Sequence, residues 1–184
     1  MTTKIIIVFG ILALINEVAL SQDQAKLPEP EYLSVFHRLD ENGGLSPLER
    51  QAPVQKVRVK ALGYGGAEGY FETKGERSPV RFKASENLAF VVLVSSQQVD
   101  PLSLIQFYLF EQQKGSRRLV VTKVGSMGIN SKNTGNKAVV AFDVAKYGAS
   151  SFKVVPTAEL KPGEYCLSTA ATAAAFCFGI DAPK

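Results

Sequence analysis

The chain has 184 residues, 46% of them hydrophobic, with 21 lysines and arginines against 17 aspartates and glutamates, a net charge of +4. That length and apolar content allow one domain with a sizeable core and exclude a disordered or low-complexity chain. The positive excess is too small for a dedicated nucleic-acid binder, so no nucleic acid is expected as a partner, and two cysteines allow one disulfide rather than a disulfide-built scaffold.

Residues 1–21 have the pattern of a secretory signal peptide. Lys4 supplies the positive start, Ile5 to Ile15 the apolar run, and Ala19-Leu20-Ser21 the small residues that precede a cleavage site at Gln22. Asn16 and Glu17 end the apolar run short of the ~20 residues a membrane span needs, so no transmembrane segment is expected in the mature chain. The protein is therefore expected to be exported, to the periplasm or beyond the cell. Residues 22–30, polar and with two prolines, read as an extended leader, and 31–184 as a single domain.

Along that domain the short apolar period is two. Tyr32 to Leu39 is strand-like, and Asn42-Gly43 marks a hairpin turn. Leu45 to Arg50 returns as a strand that Pro47 places at an edge. Val54 to Lys60 reads as a half-buried strand, with Val57 and Val59 inward and Lys56, Arg58 and Lys60 outward. Tyr64 and Tyr70 fall in a glycine-rich loop beside Phe71. Ser78 to Lys83 alternates again, with Val80 and Phe82 inward and Arg81 and Lys83 outward. Leu88 to Val94 is continuously apolar and predicts a central strand covered on both faces.

Asp100-Pro101 opens the next unit, followed by strands over Ile105 to Phe110 and Arg117 to Val124 with a turn at Lys114-Gly115-Ser116. Gly125 to Asn136 is the longest candidate flexible loop. Ala138 to Phe142 is expected as a strand, Asp143 to Tyr147 as one helical turn ended by Gly148, and Phe152 to Pro156 as a strand. The spacing predicts an all-β, antiparallel β-sandwich of Ig-like or Greek-key type with about ten to twelve short strands.

The last thirty residues carry the most local information. Leu160-Lys161-Pro162-Gly163-Glu164-Tyr165 suggests a type II turn at Pro162-Gly163 and a tyrosine corner at Tyr165, whose hydroxyl would bond back to the chain upstream. Folding the following hairpin between Ala171 and Thr172 sets Tyr165 opposite Phe178 and Leu167 opposite Phe176 on one face. The same register sets Cys166 opposite Cys177 on the other, within disulfide reach.

LSPLERQ, RSPVRF, the VDP at 99–101, Arg117-Arg118, and above all LKPGEY followed by FCFGID give the mature chain a pattern that resembles a family of exported all-β proteins of Gram-negative bacteria. The resemblance implies an exported all-β domain; no activity is assigned to that family, so it implies no functional residues.

Chemistry is sparsely marked. His37 is the only histidine and has no locally marked nucleophile or acid beside it. His37, Cys166 and Cys177 lack the paired spacing of zinc ligands, the acids form no calcium loop, and neither a phosphate loop nor a nucleophile elbow occurs. No cofactor or metal is expected. Two surfaces remain as binding candidates: a basic stripe of Lys56, Arg58, Lys60, Arg81 and Lys83, if their strands are neighbours, and the aromatic loop with Tyr64 and Tyr70. The expectation is an exported, non-enzymatic binding or structural module of the cell envelope, with an envelope protein, glycan or anionic lipid surface as partner. The alternatives are an envelope-glycan hydrolase with carboxylates from separate strands, and a carbohydrate- or lipid-binding accessory domain.

Overall fold

The computed structural model describes residues 27–60, 65–84, 86–125 and 131–183. In chain order its strands are β1 (Phe36–Leu39), β2 (Leu45–Pro47), β3 (Glu49–Gln51), β4 (Val54–Val59), β5 (Ala67–Lys74), β6 (Arg81–Lys83) and β7 (Ala89–Leu93). A helical turn α1 (Pro101–Leu104) follows, capped by the Asp100 carboxylate. The remaining strands are β8 (Ile105–Gln113), β9 (Ser116–Val124), β10 (Ser131–Asn133), β11 (Phe142–Tyr147), β12 (Ser151–Pro156), β13 (Gly163–Thr169) and β14 (Ala175–Asp181).

The architecture is an antiparallel β-sandwich, as the strand spacing predicted. One sheet has the order β11-β12-β7-β1-β2. The other follows β3-β14-β13-β8-β9-β5-β4, with β10 added to β9 and β6 to β14; the β6–β14 pair is parallel. Side chains of alternating residues meet between the sheets. Phe36, Phe90, Val92, Phe152 and Val154 from the first pack on Ile105, Phe107, Tyr165, Leu167, Phe176, Phe178 and Ile180 from the second. Phe90 and Phe178 approach to 4.9 Å between ring centroids, and Tyr165 stacks on Phe178 at 5.7 Å. β7 lies centrally, with Phe90, Val91 and Val92 fully buried, as its unbroken apolar run implied.

The second sheet is rolled. Laid flat, its seven-strand path would set β3 and β4 about 29 Å apart, at ~4.8 Å per strand spacing. Gln51 and Val54, which end β3 and begin β4, are three residues apart in the chain and cannot be separated by more than about 11 Å. The face turned away from the sandwich thus becomes the inside of a roll and carries its own core: Phe110, Leu119, Cys166, Ala175 and Cys177, with Phe71, Tyr108, Val121 and Ala138 packed against them.

Several elements differ from the sequence reading. Leu45 to Arg50 is two strands, because buried Leu48 turns the chain from the first sheet into the second. Asp143 to Tyr147 is strand rather than helical turn, since all of Phe142–Tyr147 pairs with β12; Gly148, at φ 57°, makes the connecting turn. The segment Ala138 to Phe142 begins as the end of a 3-10 turn (Gly135–Ala138). The described part of the expected long loop includes β10 and that turn, and residues 126–130 lie outside the described residues. The leader is tied down where it is described: Pro30 is buried, and the Glu29 carboxylate accepts from Ala149 N, Ser150 N and Ser151 Oγ at 2.8, 2.9 and 2.6 Å. The expected signal segment, 1–21, lies outside the described residues.

Candidate functional site

The roll is closed at one end and open at the other. At the closed end β8 pairs with β9, Glu111–Gln113 against Arg118–Ser116. Beyond those three pairs the strands part, and residues 131–140 run between them. β10 pairs with β9, Thr134 N donates to Val121 O at 3.1 Å, and Val140 N donates to Phe107 O at 2.9 Å. This wedge satisfies the backbone of both strands while holding them apart, so the open end encloses a cavity of about 350 Å³. Phe71, Tyr108, Phe110, Leu119, Val121 and Cys166 line it, Pro53 closes the β3–β4 side, and Gln106, Ser168 and Thr172 supply polar groups. Among the described residues no charged one lines it. A larger hollow of about 440 Å³ is lined by Ala84, Glu86, Asn87 and Leu88 on one side and residues 155–160 on the other, but no aromatic residue among those described lines it and it includes Glu86 and Glu159. A third hollow of about 410 Å³, lined by Phe107, Tyr108 and Phe142, is also uncharged but shallower; the open end of the roll is the more enclosed and more apolar site for a small apolar ligand.

The closed end is polar and locked. Arg117, fully buried on β9, donates two hydrogen bonds to Glu49 on β3, at 2.8 and 3.0 Å, and two more to the carbonyls of Lys74 and Gly75 at 2.8 and 3.1 Å. Its guanidinium also lies 3.6 Å from the buried Glu164 carboxylate. Glu164 accepts from Ser78 N at 2.8 Å and pairs with Arg81, which bonds Asp181 at 2.8 Å. Burial pushes the Glu49 carboxyl up, but hydrogen bonds from Arg117, Ser78 and Gln51 outweigh it and hold the group below its usual value. Carboxylates from separate strands do converge here, as the hydrolase alternative required. Each is clamped by arginine, and a lowered pKa suits Glu49 as a counter-ion rather than a proton donor.

Cys166 and Cys177 are bridged, with their Cα atoms 4.1 Å apart, and the register is the expected one at Tyr165–Phe178, Cys166–Cys177 and Leu167–Phe176. The bridge sits on the roll side of the hairpin and joins the two strands beside the cavity. Tyr165 Oη donates to Lys161 O at 2.8 Å, the expected corner bond. The turn chemistry differs: Gly163 is the first residue of β13 and is not among the residues of positive φ. It is small for another reason, because a β-carbon there would stand 2.9 Å from Leu109 Cδ1.

The basic stripe is not assembled as expected. Lys56, Arg58 and Lys60 belong to β4 and its hairpin, at one end of the sheet path, while Arg81 and Lys83 lie on β6 beside β14. Arg81 is spent on Glu164 and Asp181. A different basic surface replaces it. Cross-strand pairing brings Lys56, Arg58 and Lys60 together with Arg118, Lys123 and Lys132, around Glu68, Glu72 and Glu111. Lys60 and Lys56 bond Glu68 and Glu72, which lowers both carboxyl pKa values. Tyr70 is buried in β5 under the Arg118 guanidinium, 4.8 Å from its ring centroid, rather than exposed on a loop; Tyr64 lies outside the described residues. His37 lies on β1, its buried Nδ1 without a hydrogen-bond partner among the described residues. Among those residues no group of three His, Cys, Asp or Glu side chains is placed to hold a metal ion.

The cavity was not read from the sequence. Its walls come from β5, β8, β9 and β13, and the one local hint was that Phe71, Tyr108 and Phe110 fall on the strand face opposite the sandwich core. No protein-family model, no curated protein and no solved structure matches this chain.

Proposed function

We propose that this is an exported, non-enzymatic binding protein that holds a small neutral apolar ligand, or the apolar part of one, in the open end of its rolled sheet. The observation that carries this reading is the uncharged cavity of about 350 Å³, walled by Phe71, Tyr108 and Phe110. At roughly 30 Å³ per water-sized group it has room for about a dozen such groups, the scale of a medium-length acyl chain or a fused aromatic. A charged ligand would be stripped of water there with no counter-ion in the lining. The disulfide and the Arg117 ion pairs support the reading by holding the roll in shape without a ligand. The disulfide also fits an oxidising compartment, and with the N-terminal pattern it supports export. Among the described residues no helix is long and apolar enough to cross a membrane.

The test is titration with N-phenyl-1-naphthylamine, a neutral apolar dye that brightens out of water. One saturable site per chain is expected, displaced by decanol. Val121→Glu should weaken uptake by about tenfold or more, because it sets a charge against the ligand, with circular dichroism showing the variant still folded despite a lower melting temperature. Non-saturable uptake, or uptake unchanged in the variant, overturns the reading. Export is tested by recovering the chain from the envelope or medium with Gln22 at its N-terminus.

A further inference from the structure

β4 is the last strand of the rolled sheet, and all six of its residues are exposed. Val54, Val57 and Val59 are 56%, 68% and 60% exposed, although the alternation predicted Val57 and Val59 to be inward. The physical reason is that Val57 lies opposite Gly69 and Val59 opposite Ala67, so β5 offers little side chain to cover them. Nor does any described strand pair with the other edge of β4. Lys60 N donates to Gly66 O at 2.9 Å across the hairpin. Alternation along an antiparallel strand then turns the amides of Lys56 and Arg58 toward β5, and those of Gln55, Val57 and Val59 toward the open edge.

We infer that β4 is a docking edge for an extended acidic segment of a partner protein, one in which carboxylate and apolar residues alternate. Such a segment adds a strand to the sheet, its main chain bonding the free amides and carbonyls of Gln55, Val57 and Val59. Its apolar side chains cover Val57 and Val59. Its carboxylates stand beside Lys56, Arg58 and Lys60, on a face where six cations surround three carboxylates. Charge selects this partner over a second copy of the chain. Two β4 strands paired antiparallel about Val57 would set Lys56 against Arg58 in both directions, like charge on like charge. The cationic face of β4 and β5 is turned away from the cavity; Val57 and Val59 share the face of Phe71, but neither lines the cavity.

The probe is an eight-residue peptide of alternating glutamate and valine, with its lysine–valine counterpart as control, added to the intact protein. The acidic peptide is expected to bind, to slow hydrogen exchange at the Val57 and Val59 amides, and to bind about tenfold or more tightly than the control, with the difference shrinking in high salt. Val57→Pro removes one outward amide and leaves the Lys56 and Arg58 bonds to β5 in place, so it should abolish peptide binding while dye uptake persists. Arg58→Glu leaves five cations against four carboxylates and should narrow the difference between the two peptides to a few-fold or less. The proposal is overturned if neither peptide binds, if protection appears at residues other than those of β4, or if ultracentrifugation shows a dimer that Val57→Pro dissociates.

Discussion

Arg117 and Glu49 are 68 positions apart in the chain and joined by two hydrogen bonds, 2.8 and 3.0 Å long, inside the rolled sheet. The pair ties β9 to β3, which the hydrogen-bonded path sets four strands apart, so it reports closure of the roll. Arg117→Met should destabilise the fold by roughly 3–5 kcal/mol, because it leaves Glu49 without its counter-ion and Glu164 with Arg81 alone. Arg117→Lys should recover only part of this, since an ammonium cannot reproduce the paired bonds to Glu49 together with those to Lys74 and Gly75. The midpoint of urea unfolding measures both.

The same pair sets an acid limit. The Glu49 carboxyl is held below its ordinary value of 4.5 when folded. A depressed folded pKa gives stability that is fully present above the unfolded value and is lost as pH falls through the folded one. Unfolding free energy should therefore decline below about pH 4.5. Glu49→Gln should flatten that decline while lowering stability at pH 7. Urea titrations from pH 7 to pH 3 test this, and a decline of equal steepness in the variant would assign the acid limit to other groups.

Tyr165 separates packing from hydrogen bonding. Its ring stacks on Phe178 and its hydroxyl donates to Lys161 O. Tyr165→Phe keeps the stack and should cost about 0.5–1.5 kcal/mol. Tyr165→Ala empties a core site and should cost roughly 3–5 kcal/mol. Thermal unfolding of the two variants distinguishes these contributions.

The bridge between Cys166 and Cys177 closes a short loop, with a sequence separation of 11. Reduction, or Cys166→Ser with Cys177→Ser, should lower stability by about 2–3 kcal/mol. Intact mass should show two alkyl additions only after reduction. Because Cys166 lines the cavity, the double variant should also weaken dye uptake.

Gly179 lies where the Arg81 guanidinium crosses β14, and a β-carbon built there would collide with that group. Gly179→Ala should push Arg81 off Glu164 and Asp181. The expected cost is about 1–3 kcal/mol, typical of overpacking, measured by urea unfolding. Adding Arg81→Ala to Gly179→Ala should cost less than the two single effects summed, since both act on one guanidinium.

The terminal hairpin was legible in its residues because a strand's side chains alternate with period two and its turn lies within the same thirty residues. One choice of centre therefore set every partner from Tyr165–Phe178 to Cys166–Cys177. The exposed alternation of β4 shows where that logic stops. Alternation says that Val57 and Val59 share a face, and nothing local says whether a neighbour covers that face.

Asp143 to Tyr147 makes the same point for secondary structure. A capping residue and a following glycine suit a helical turn, but a full-length pairing with β12 outweighs so weak a local preference. The residues therefore dictated the sandwich, its central strand β7, the hairpin register and the opposition of Cys166 to Cys177, all of which follow from local period and apolar content; that the two are bridged is seen in the structure. The roll, the Arg117–Glu49 pair, the cavity beyond the β8–β9 parting and the open edge of β4 depend on which distant strands lie side by side. That is a matter of non-local pairing, set by burial over the whole chain and not by any stretch of it.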